Sequence, residues 1–319
     1  MYFSSIERYR TAWRFSDILS QRRLIGGGLD ITNKCNLRCS HCYWWRQKKN
    51  PDLSDDEMIA FMRKLKKQGF KIIYLLGGEP LLRPEVCAAA GRIFDFPMIF
   101  TNGTLGFPQV GHARYALSID GPPEIHNRIR GAGIFEEVVK KLGESLSPVM
   151  IHVTVCRSNR EYLREIIELF IRRPQVSGLY FCFFCPSSGS GGNKEFIPLE
   201  ERDRVIDEIT AYRNEYGSKI LMTERIGHYL KTDGGFSCWN SHSRCITRDL
   251  FKFYSADGSY KYSCAYGKEA DCGGCGCSQV PIMHAMLDKD RETMKMAYRD
   301  YWGLSVWHDK LLDIAVRWL

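Results

Sequence analysis

Short apolar stretches alternate with longer amphipathic stretches through the first two-thirds of the chain. The apolar stretches predict six strands, at Gly28–Thr32, Lys71–Leu76, Pro97–Thr101, Tyr115–Ile119, Val149–Val155 and Leu179–Phe184. Helical periodicity between and after them predicts helices at Ser54–Gln68, Pro84–Phe94, Ile134–Ser145, Asn159–Arg172 and Leu199–Tyr216. This alternation and spacing are typical of right-handed parallel crossovers. The pattern therefore predicts an α/β fold, either a partial or complete parallel barrel or a doubly wound sheet.

The pattern changes after about Ser218, where long amphipathic periods stop and cysteines become frequent. Leu250–Ser255 and Tyr260–Ser263 flank a turn-rich segment, which predicts a β-hairpin. We expect one domain over residues 1–217 and a small Cys-rich extension, a β-hairpin plus helices, over residues 218–319. In the tail, apolar residues from Trp302 onward recur at helical spacing and predict a C-terminal helix. That helix would pack on the main body, with a lipid-facing or partner-facing surface as the alternative.

The composition and charge of the chain exclude several classes of protein. The 319 residues are 44% hydrophobic and 26% charged, which is ordinary for a globular protein and excludes a mainly disordered chain. No apolar run is long enough to span a bilayer and no secretory signal is apparent, so we expect a cytoplasmic protein. The net charge of +8 is dispersed in short pairs, which predicts solvated helix faces and no stable binding of nucleic acid. An anionic partner surface, including peripheral contact with a membrane, stays open.

Thirteen cysteines without an export signal indicate metal ligands before disulfides. Cys35, Cys39 and Cys42 follow the first predicted strand with the spacing C-x3-C-x2-C. Three thiolates on one short loop can hold one face of a four-iron cluster and leave the fourth iron open. A zinc site completed by His41 or another histidine, and buried structural cysteines, are the alternatives.

A second group of cysteines follows in the extension, at Cys238, Cys245, Cys264, Cys272, Cys275 and Cys277. The predicted hairpin would bring Cys245 and Cys264 to the same end of the ribbon, beside the loop that carries the last three. Such convergence suits a fully ligated iron–sulfur cluster, with structural zinc as the alternative. Cys182 and Cys185 are predicted to pack in the core, since alternation along a strand would aim them apart.

Several further motifs follow the strands in order: Gly77-Gly78-Glu79-Pro80, Thr101-Asn102-Gly103, Ser118-Ile119-Asp120-Gly121 and Ile125–Gly131. Together with the three cysteines, they resemble the motifs of the radical SAM superfamily over roughly Gly28 to Phe184. The resemblance implies a partial (βα)6 TIM-like barrel in which Cys35, Cys39 and Cys42 hold a 4Fe–4S cluster. Its open iron would be chelated by S-adenosylmethionine, whose reductive cleavage yields a 5′-deoxyadenosyl radical.

The resemblance also implies residues that bind the cofactor. Gly77, Gly78 and Glu79 match the segment that meets the methionine amino group, with glycine needed for close approach. Ser118 and Asp120 match positions near the ribose or the methionine moiety, and Arg130 matches an arginine that pairs with the carboxylate. His41 takes the position of an aromatic residue under the adenine, where it either stacks or fills space. Asn102 is the weakest of the set, because turn formation explains it nearly as well.

The Cys-rich segment resembles the SPASM or twitch extension that binds an auxiliary 4Fe–4S cluster. The spacing from Gly258 to Cys264 is one residue longer than usual, and the cysteines are too few for two auxiliary clusters. We favour Cys245, Cys264, Cys272 and Cys275 as ligands, with Cys277 in reserve and Cys238 outside the site.

The sequence thus predicts a radical SAM enzyme that abstracts hydrogen from an unactivated site on a peptide or protein. Alternatives are chemistry on a lipid or isoprenoid, chemistry on a small metabolite and, more remotely, a non-catalytic iron–sulfur scaffold. The expected partners are a low-potential electron donor of the flavodoxin or ferredoxin type and the substrate. Only about 27 residues precede the first predicted strand, so we expect no cobalamin-binding domain before it.

Overall fold

The computed structural model of the protein describes residues 21–47, 49–187, 194–262 and 264–301, except for the side chains of Arg46, Asp300 and Tyr301. The predicted C-terminal helix, whose apolar face begins at Trp302, lies outside the described residues.

A sheet of parallel strands with helices between them forms the body of the protein. The strands are β1 (Gly26–Thr32), β2 (Ile72–Gly77), β3 (Phe96–Thr101), β4 (Arg114–Ser118), β5 (Val149–Val155), β6 (Val176–Phe183), β7 (Phe251–Tyr254) and β8 (Tyr260–Lys261). The helices are α1 (Asp55–Lys67), α2 (Pro84–Ile93), α3 (Pro123–Arg130), α4 (Ile134–Gly143), α5 (Leu163–Phe170), α6 (Leu199–Tyr216), α7 (Glu224–Leu230), α8 (Thr247–Leu250), α9 (Gln279–Leu287) and α10 (Arg291–Met296).

The first six strands lie side by side in chain order and all pair in parallel. The sheet is open, with β6 at one edge and β8 at the other. The predicted partial (βα)6 barrel is therefore confirmed. This order brings the carboxyl ends of all six strands to one rim, where parallel α/β folds bind their ligands.

Local sequence accounts for the main elements. All seven residues of β1 are buried, as expected for a strand covered on both faces of a parallel sheet. Ser54 and Glu57 form a capping box at the start of α1, and three acidic residues occupy the first turn of that helix. Gly69 follows the helix with φ of +101°, a conformation that favours glycine.

The Cys-rich extension does not form a separate sheet. Strand β7 pairs in parallel with β1, from Gly26 opposite Phe251, and β8 pairs antiparallel with β7. The predicted hairpin is thus present, and it extends the barrel sheet beyond β1. The Lys261 Nζ atom of β8 lies 2.7 Å from the carboxylate of Asp30 in β1, and both side chains are nearly buried. The domain boundary after residue 217 stays a prediction.

No helix in the described part of the chain is both long enough and apolar enough to cross a membrane.

Candidate functional site

The loop that carries the first three cysteines is held from two sides. The Ser40 amide donates to the Ile129 carbonyl at 2.9 Å, which ties the loop to α3. On the other side, Asn102 at the end of β3 donates from Nδ2 to Oδ1 of Asn36 at 2.9 Å. Asn36 in turn donates to Thr104 at 2.7 Å. Asn102 therefore orients the cysteine loop, a role beyond the turn that its sequence context predicts.

Gly77, Gly78 and Glu79 connect the end of β2 to that loop. A Cβ atom on Gly78 would lie 2.0 Å from the Lys34 carbonyl oxygen, directly before Cys35. Gly77 has φ of +116°, and a Cβ atom there would lie 2.5 Å from the Thr32 carbonyl oxygen. The glycines are thus required by close packing of the protein's own backbone.

Glu79 is almost completely buried, and both oxygens of its carboxylate accept hydrogen bonds from the protein. Its Oε1 accepts hydrogen bonds from the Thr101 hydroxyl at 2.8 Å and the Leu81 amide at 3.0 Å, and its Oε2 accepts from the Asn102 amide at 2.8 Å. Burial raises the pKa of Glu79, while these hydrogen bonds oppose the rise. The side chain therefore joins the ends of β2 and β3 beneath the cysteine loop.

A buried ion pair lies on the opposite side of the cysteines. Asp120 is fully buried and accepts from Arg130 Nε at 2.6 Å, and its Oδ2 lies 3.2 Å from His41 Nε2. Burial alone would raise the pKa of Asp120, but the Arg130 guanidinium and His41 hold it below its usual range. Nη1 of Arg130 reaches Cys39 Sγ at 3.8 Å. Asp120 thus fixes Arg130 and His41 beside the thiols.

The cysteines of the extension converge on the end of β6. The segment from Ala270 to Gly276 runs antiparallel to the chain after β6, with a bridge between Ser187 and Ala270. The Phe183 amide donates to the Gly276 carbonyl at 2.8 Å. A Cβ atom on Gly276 would lie 2.3 Å from the Phe183 carbonyl oxygen, so this close contact requires glycine between Cys275 and Cys277.

Five cysteines of the extension form a set that we call the second thiol group: Cys245, Cys264, Cys272, Cys275 and Cys277. Cys185 belongs to this set as well, and the prediction that it packs in the core is wrong. The Gly276 amide donates to Cys185 Sγ at 3.2 Å, and a hydrogen bond with Cys185 is the main cause of the raised pKa of Cys275. Strand alternation does not apply to Cys185, because β6 ends at Phe183. Cys182 also faces the cavity, on the side of Cys277. The C-x2-C spacing of Cys182 and Cys185 was the available signal in the sequence, but the placement itself depends on the pairing of residues about ninety positions apart.

One cavity of about 350 Å³ joins both thiol groups. Its wall includes every predicted metal ligand, namely Cys35, Cys39, Cys42, Cys245, Cys264, Cys272, Cys275 and Cys277. It also includes the predicted cofactor-binding residues His41, Gly77, Gly78, Glu79, Asn102, Ser118 and Arg130. Asp120 lies behind this wall, and Cys238 is exposed outside it.

An aromatic pair that the sequence reasoning missed connects the two groups. Tyr43 directly follows Cys42, and Tyr266 lies two residues after Cys264. Their ring centroids are 4.2 Å apart, and both rings line the cavity. The adjacency of tyrosine to a cysteine motif was the available signal in the sequence, but the contact itself depends on the fold.

The cysteine thiols that line the cavity are chemically suited to bind iron–sulfur clusters. Burial raises the pKa of the Cys42 thiol to about 11 and that of the Cys264 thiol to about 12. Without a metal these thiols stay protonated, whereas a bound cation stabilises the thiolates and releases protons. Among the described residues, no three His, Cys, Asp or Glu side chains form a group that could hold one metal ion.

Comparison with known proteins identifies similar chains. A family model described as the Radical SAM superfamily matches residues 29–170. The AdoMet-dependent heme synthase of Oleidesulfovibrio alaskensis is 30% identical over 285 residues, which cover 79% of this chain and 72% of that protein. The sporulation killing factor maturation protein SkfB of Bacillus subtilis is 31% identical over 189 residues, which cover 51% of this chain and 46% of that protein.

Among solved structures, Streptococcus suis SuiB bound to precursor peptide SuiA aligns with a TM-score of 0.59 at 14% identity. The alignment covers 84% of this chain and 69% of SuiB. At this identity the likeness concerns the fold alone. The chain spans less than two thirds of the length of the first curated relatives that it matches, from 46% to 62%.

Proposed function

We propose, from the premise that this chain belongs to the radical SAM superfamily, that it abstracts a hydrogen atom from an unactivated site on a peptide or protein. Members of this superfamily bind a 4Fe–4S cluster and S-adenosylmethionine. The chemistry supplied by the bound cofactors is reductive cleavage of S-adenosylmethionine to a 5′-deoxyadenosyl radical. The observation that carries the proposal is the single cavity in which the three-cysteine loop, the Gly77–Glu79 segment and Arg130 meet.

The chain's own residues bind and orient the cofactors. Cys35, Cys39 and Cys42 would hold the first cluster through three thiolates. Arg130 has its Nε atom committed to Asp120 and its Nη1 atom directed at Cys39, so Nη2 is the group that would meet the methionine carboxylate. Asp120 acts through Arg130, as a buried anion that fixes the direction of the guanidinium.

The remaining cofactor contacts are assigned by position on the cavity wall. Gly77, Gly78 and Glu79 would meet the methionine amino group, and Ser118 at the end of β4 would meet the ribose. His41 would lie against the adenine, with its Nε2 atom held by Asp120. Asn102 would act indirectly, through the cysteine loop that it holds.

We assign an auxiliary 4Fe–4S cluster to the second thiol group. Cys264, Cys245, Cys272 and Cys275 are electrostatic neighbours of one another, which supports these four as ligands. Cys277 interacts electrostatically most with Cys182, then with Cys275 and Cys245, and stays in reserve. The electron would come from a low-potential protein donor of the flavodoxin or ferredoxin type.

A peptide or protein substrate is supported by two of the similar proteins. One is named a maturation protein of a killing factor, and the solved structure of the other contains a precursor peptide.

A small metabolite is the second candidate substrate. It is favoured by the longer match to a heme synthase and by the aromatic floor of the cavity, where Tyr74, Phe100, His152 and Tyr180 lie in ring contact. Aromatic rings in such a floor suit a flat apolar ligand.

The test is formation of 5′-deoxyadenosine by anaerobically purified, reduced protein with S-adenosylmethionine. We expect Cys39→Ala to abolish it and Cys238→Ala, outside the cavity, to retain it. Absence of the product from cluster-replete wild-type protein would defeat the enzymatic proposal. To distinguish the substrate classes, the fraction of a cell extract that contains molecules below 10 kDa is added to the assay, and it should increase the formation of 5′-deoxyadenosine. Loss of that increase after protease treatment indicates a peptide, and its persistence indicates a small metabolite.

A further inference from the structure

Helix α6 buries an arginine directly behind the second thiol group. The Arg202 side chain is only 1% exposed. Its Nη1 donates to the Cys275 carbonyl at 2.8 Å, and its Nη2 donates to the Leu230 carbonyl at 3.0 Å. The guanidinium lies over the Phe236 ring at 4.4 Å from the centroid. Its buried Nε atom has no hydrogen-bond partner among the described residues.

A buried guanidinium of this kind requires a compensating negative charge. Among the described residues, no carboxylate oxygen lies within 4.0 Å of a guanidinium nitrogen of Arg202, so Arg202 forms no ion pair there. The neighbouring carboxylate of Asp203 accepts instead from the amide and hydroxyl of Thr232. In the described part of the chain, Arg202 is therefore a buried cation without a carboxylate in ion-pair contact.

The residue whose carbonyl Arg202 binds, Cys275, carries a thiol that becomes anionic when it binds a metal. Burial lowers the pKa of Arg202, and Cys275 is the strongest of the groups that oppose this shift, followed by Asp203 and then Cys185. By contrast, Arg213 lies on the same helix, is similarly buried, and pairs with Glu292 at 2.6 Å. Two arginines of one helix thus differ in the anion that faces them.

We propose that Arg202 is the fixed counter-cation of the auxiliary cluster and that it raises the reduction potential of that cluster. A four-iron cluster bound by four thiolates is anionic and becomes more so on reduction. A cation held in a low-dielectric interior therefore stabilises the reduced form more than the oxidised form. The inference rests on the auxiliary cluster assigned in the proposed function.

The contacts of Arg202 also hold its positive charge at a fixed position beside the second thiol group. Because Nη1 binds the carbonyl of Cys275, the cation is fixed to the backbone of a candidate ligand. The ring centroids of Phe236 and Phe183 lie 4.4 Å and 5.8 Å from the guanidinium carbon, and the residue is almost fully buried, so water is excluded from it. The charge therefore cannot be screened by solvent or move away when the cluster changes its oxidation state.

The test is a redox titration of the auxiliary cluster, followed by electron paramagnetic resonance. The titration is done in the Cys39→Ala background, where the auxiliary cluster alone gives a signal. We expect Arg202→Met to shift the ratio of reduced to oxidised cluster at least about tenfold toward the oxidised form, which is about 59 mV for a one-electron couple. Arg202→Lys, which keeps the charge, should stay near the parent potential. Arg213→Met is the matched control and should not move it.

The results for the variants can overturn the proposed role of Arg202 in the following ways. An unchanged potential in loaded Arg202→Met protein overturns it, and so does an equal shift in Arg213→Met. If Arg202→Met takes up no iron at this site, Arg202→Lys decides, and a lowered potential in that variant overturns the proposal. If the parent protein itself binds no auxiliary cluster, the cluster assignment in the proposed function fails first.

A stability measurement gives a second, independent readout. Removal of the cluster leaves Arg202 buried without its counter-charge, so loading should raise the melting temperature of the parent more than that of Arg202→Met. Arg213→Met should keep the full difference between loaded and cluster-free protein, because Glu292 is its partner in both. An equal gain on loading in parent and Arg202→Met contradicts the counter-charge role.

Discussion

At the scale of single residues, Asp120 shows how a motif position can serve the site indirectly. Its place after β4 suggests contact with a bound cofactor, yet its carboxylate is fully buried and accepts from Arg130 at 2.6 Å. Arg130 lines the cavity and Asp120 does not. The residue type was therefore apparent from the sequence, while its partner was not, because the two meet only when α3 packs beside the cysteine loop.

Gly78 offers a residue-scale prediction. We expect Gly78→Ala to destabilise the protein by about 1–3 kcal/mol, because its Cβ would lie 2.0 Å from the Lys34 carbonyl oxygen and displace the start of the cysteine loop. Iron bound by the first site should fall as well. Urea unfolding and iron analysis in the Cys264→Ala background measure the two effects.

The matched control for that substitution is Gly143→Ala. Gly143 ends α4 and is exposed, and a Cβ atom added there would meet no other atom within 4 Å. Alanine there should be neutral or stabilising by a few tenths of a kcal/mol, roughly as at an unstrained helical position. Equal stability of Gly78→Ala and the parent would contradict the packing argument.

At the scale of elements, the hairpin of β7 and β8 determines where Cys264 lies relative to the first three cysteines. The sequence predicts its two strands and its turn, because Ala256–Ser259 separates two β-rich runs. That β7 pairs in parallel with β1 could not be predicted, because the pairing joins segments more than two hundred residues apart. This pairing places Cys264 on the same cavity as the first three cysteines.

The ion pair of Lys261 with Asp30 gives the element-scale prediction. Lys261→Met should destabilise the protein by about 3–5 kcal/mol, because it leaves the buried Asp30 carboxylate without its cation. Urea unfolding measures the loss. The double variant Asp30→Asn with Lys261→Met should recover most of it, since no charge is then left unpaired.

Lys252→Met on the exposed face of β7 is the control and should change the free energy of unfolding by less than about 0.5 kcal/mol. A double variant that is no more stable than Lys261→Met would refute the ion-pair explanation.

At the scale of the whole molecule, the two thiol groups lie far apart in sequence and share one cavity. With both clusters loaded, the protein should contain about eight iron atoms. Cys264→Ala should remove about half of them, because it deletes a ligand of the second group only. Iron analysis of anaerobically purified protein measures this.

Cys238→Ala is the comparison for that experiment, because Cys238 is exposed and outside the cavity wall. It should retain all of the iron. Full retention of iron by Cys264→Ala would refute the assignment of an auxiliary cluster to this group.

The sequence by itself determined the order of six β-α units, the first three cysteines and the motifs at the strand ends. These depend on local periodicity and on spacing within short segments, which a linear pattern records. The tertiary structure alone decided that Cys185 joins the second thiol group and that β7 extends the sheet at β1. It also decided that Arg202 faces the second thiol group with no carboxylate of the described residues in ion-pair contact. Each of these is a contact between distant segments, and the energy that selects it comes from packing and charge pairing in the folded interior.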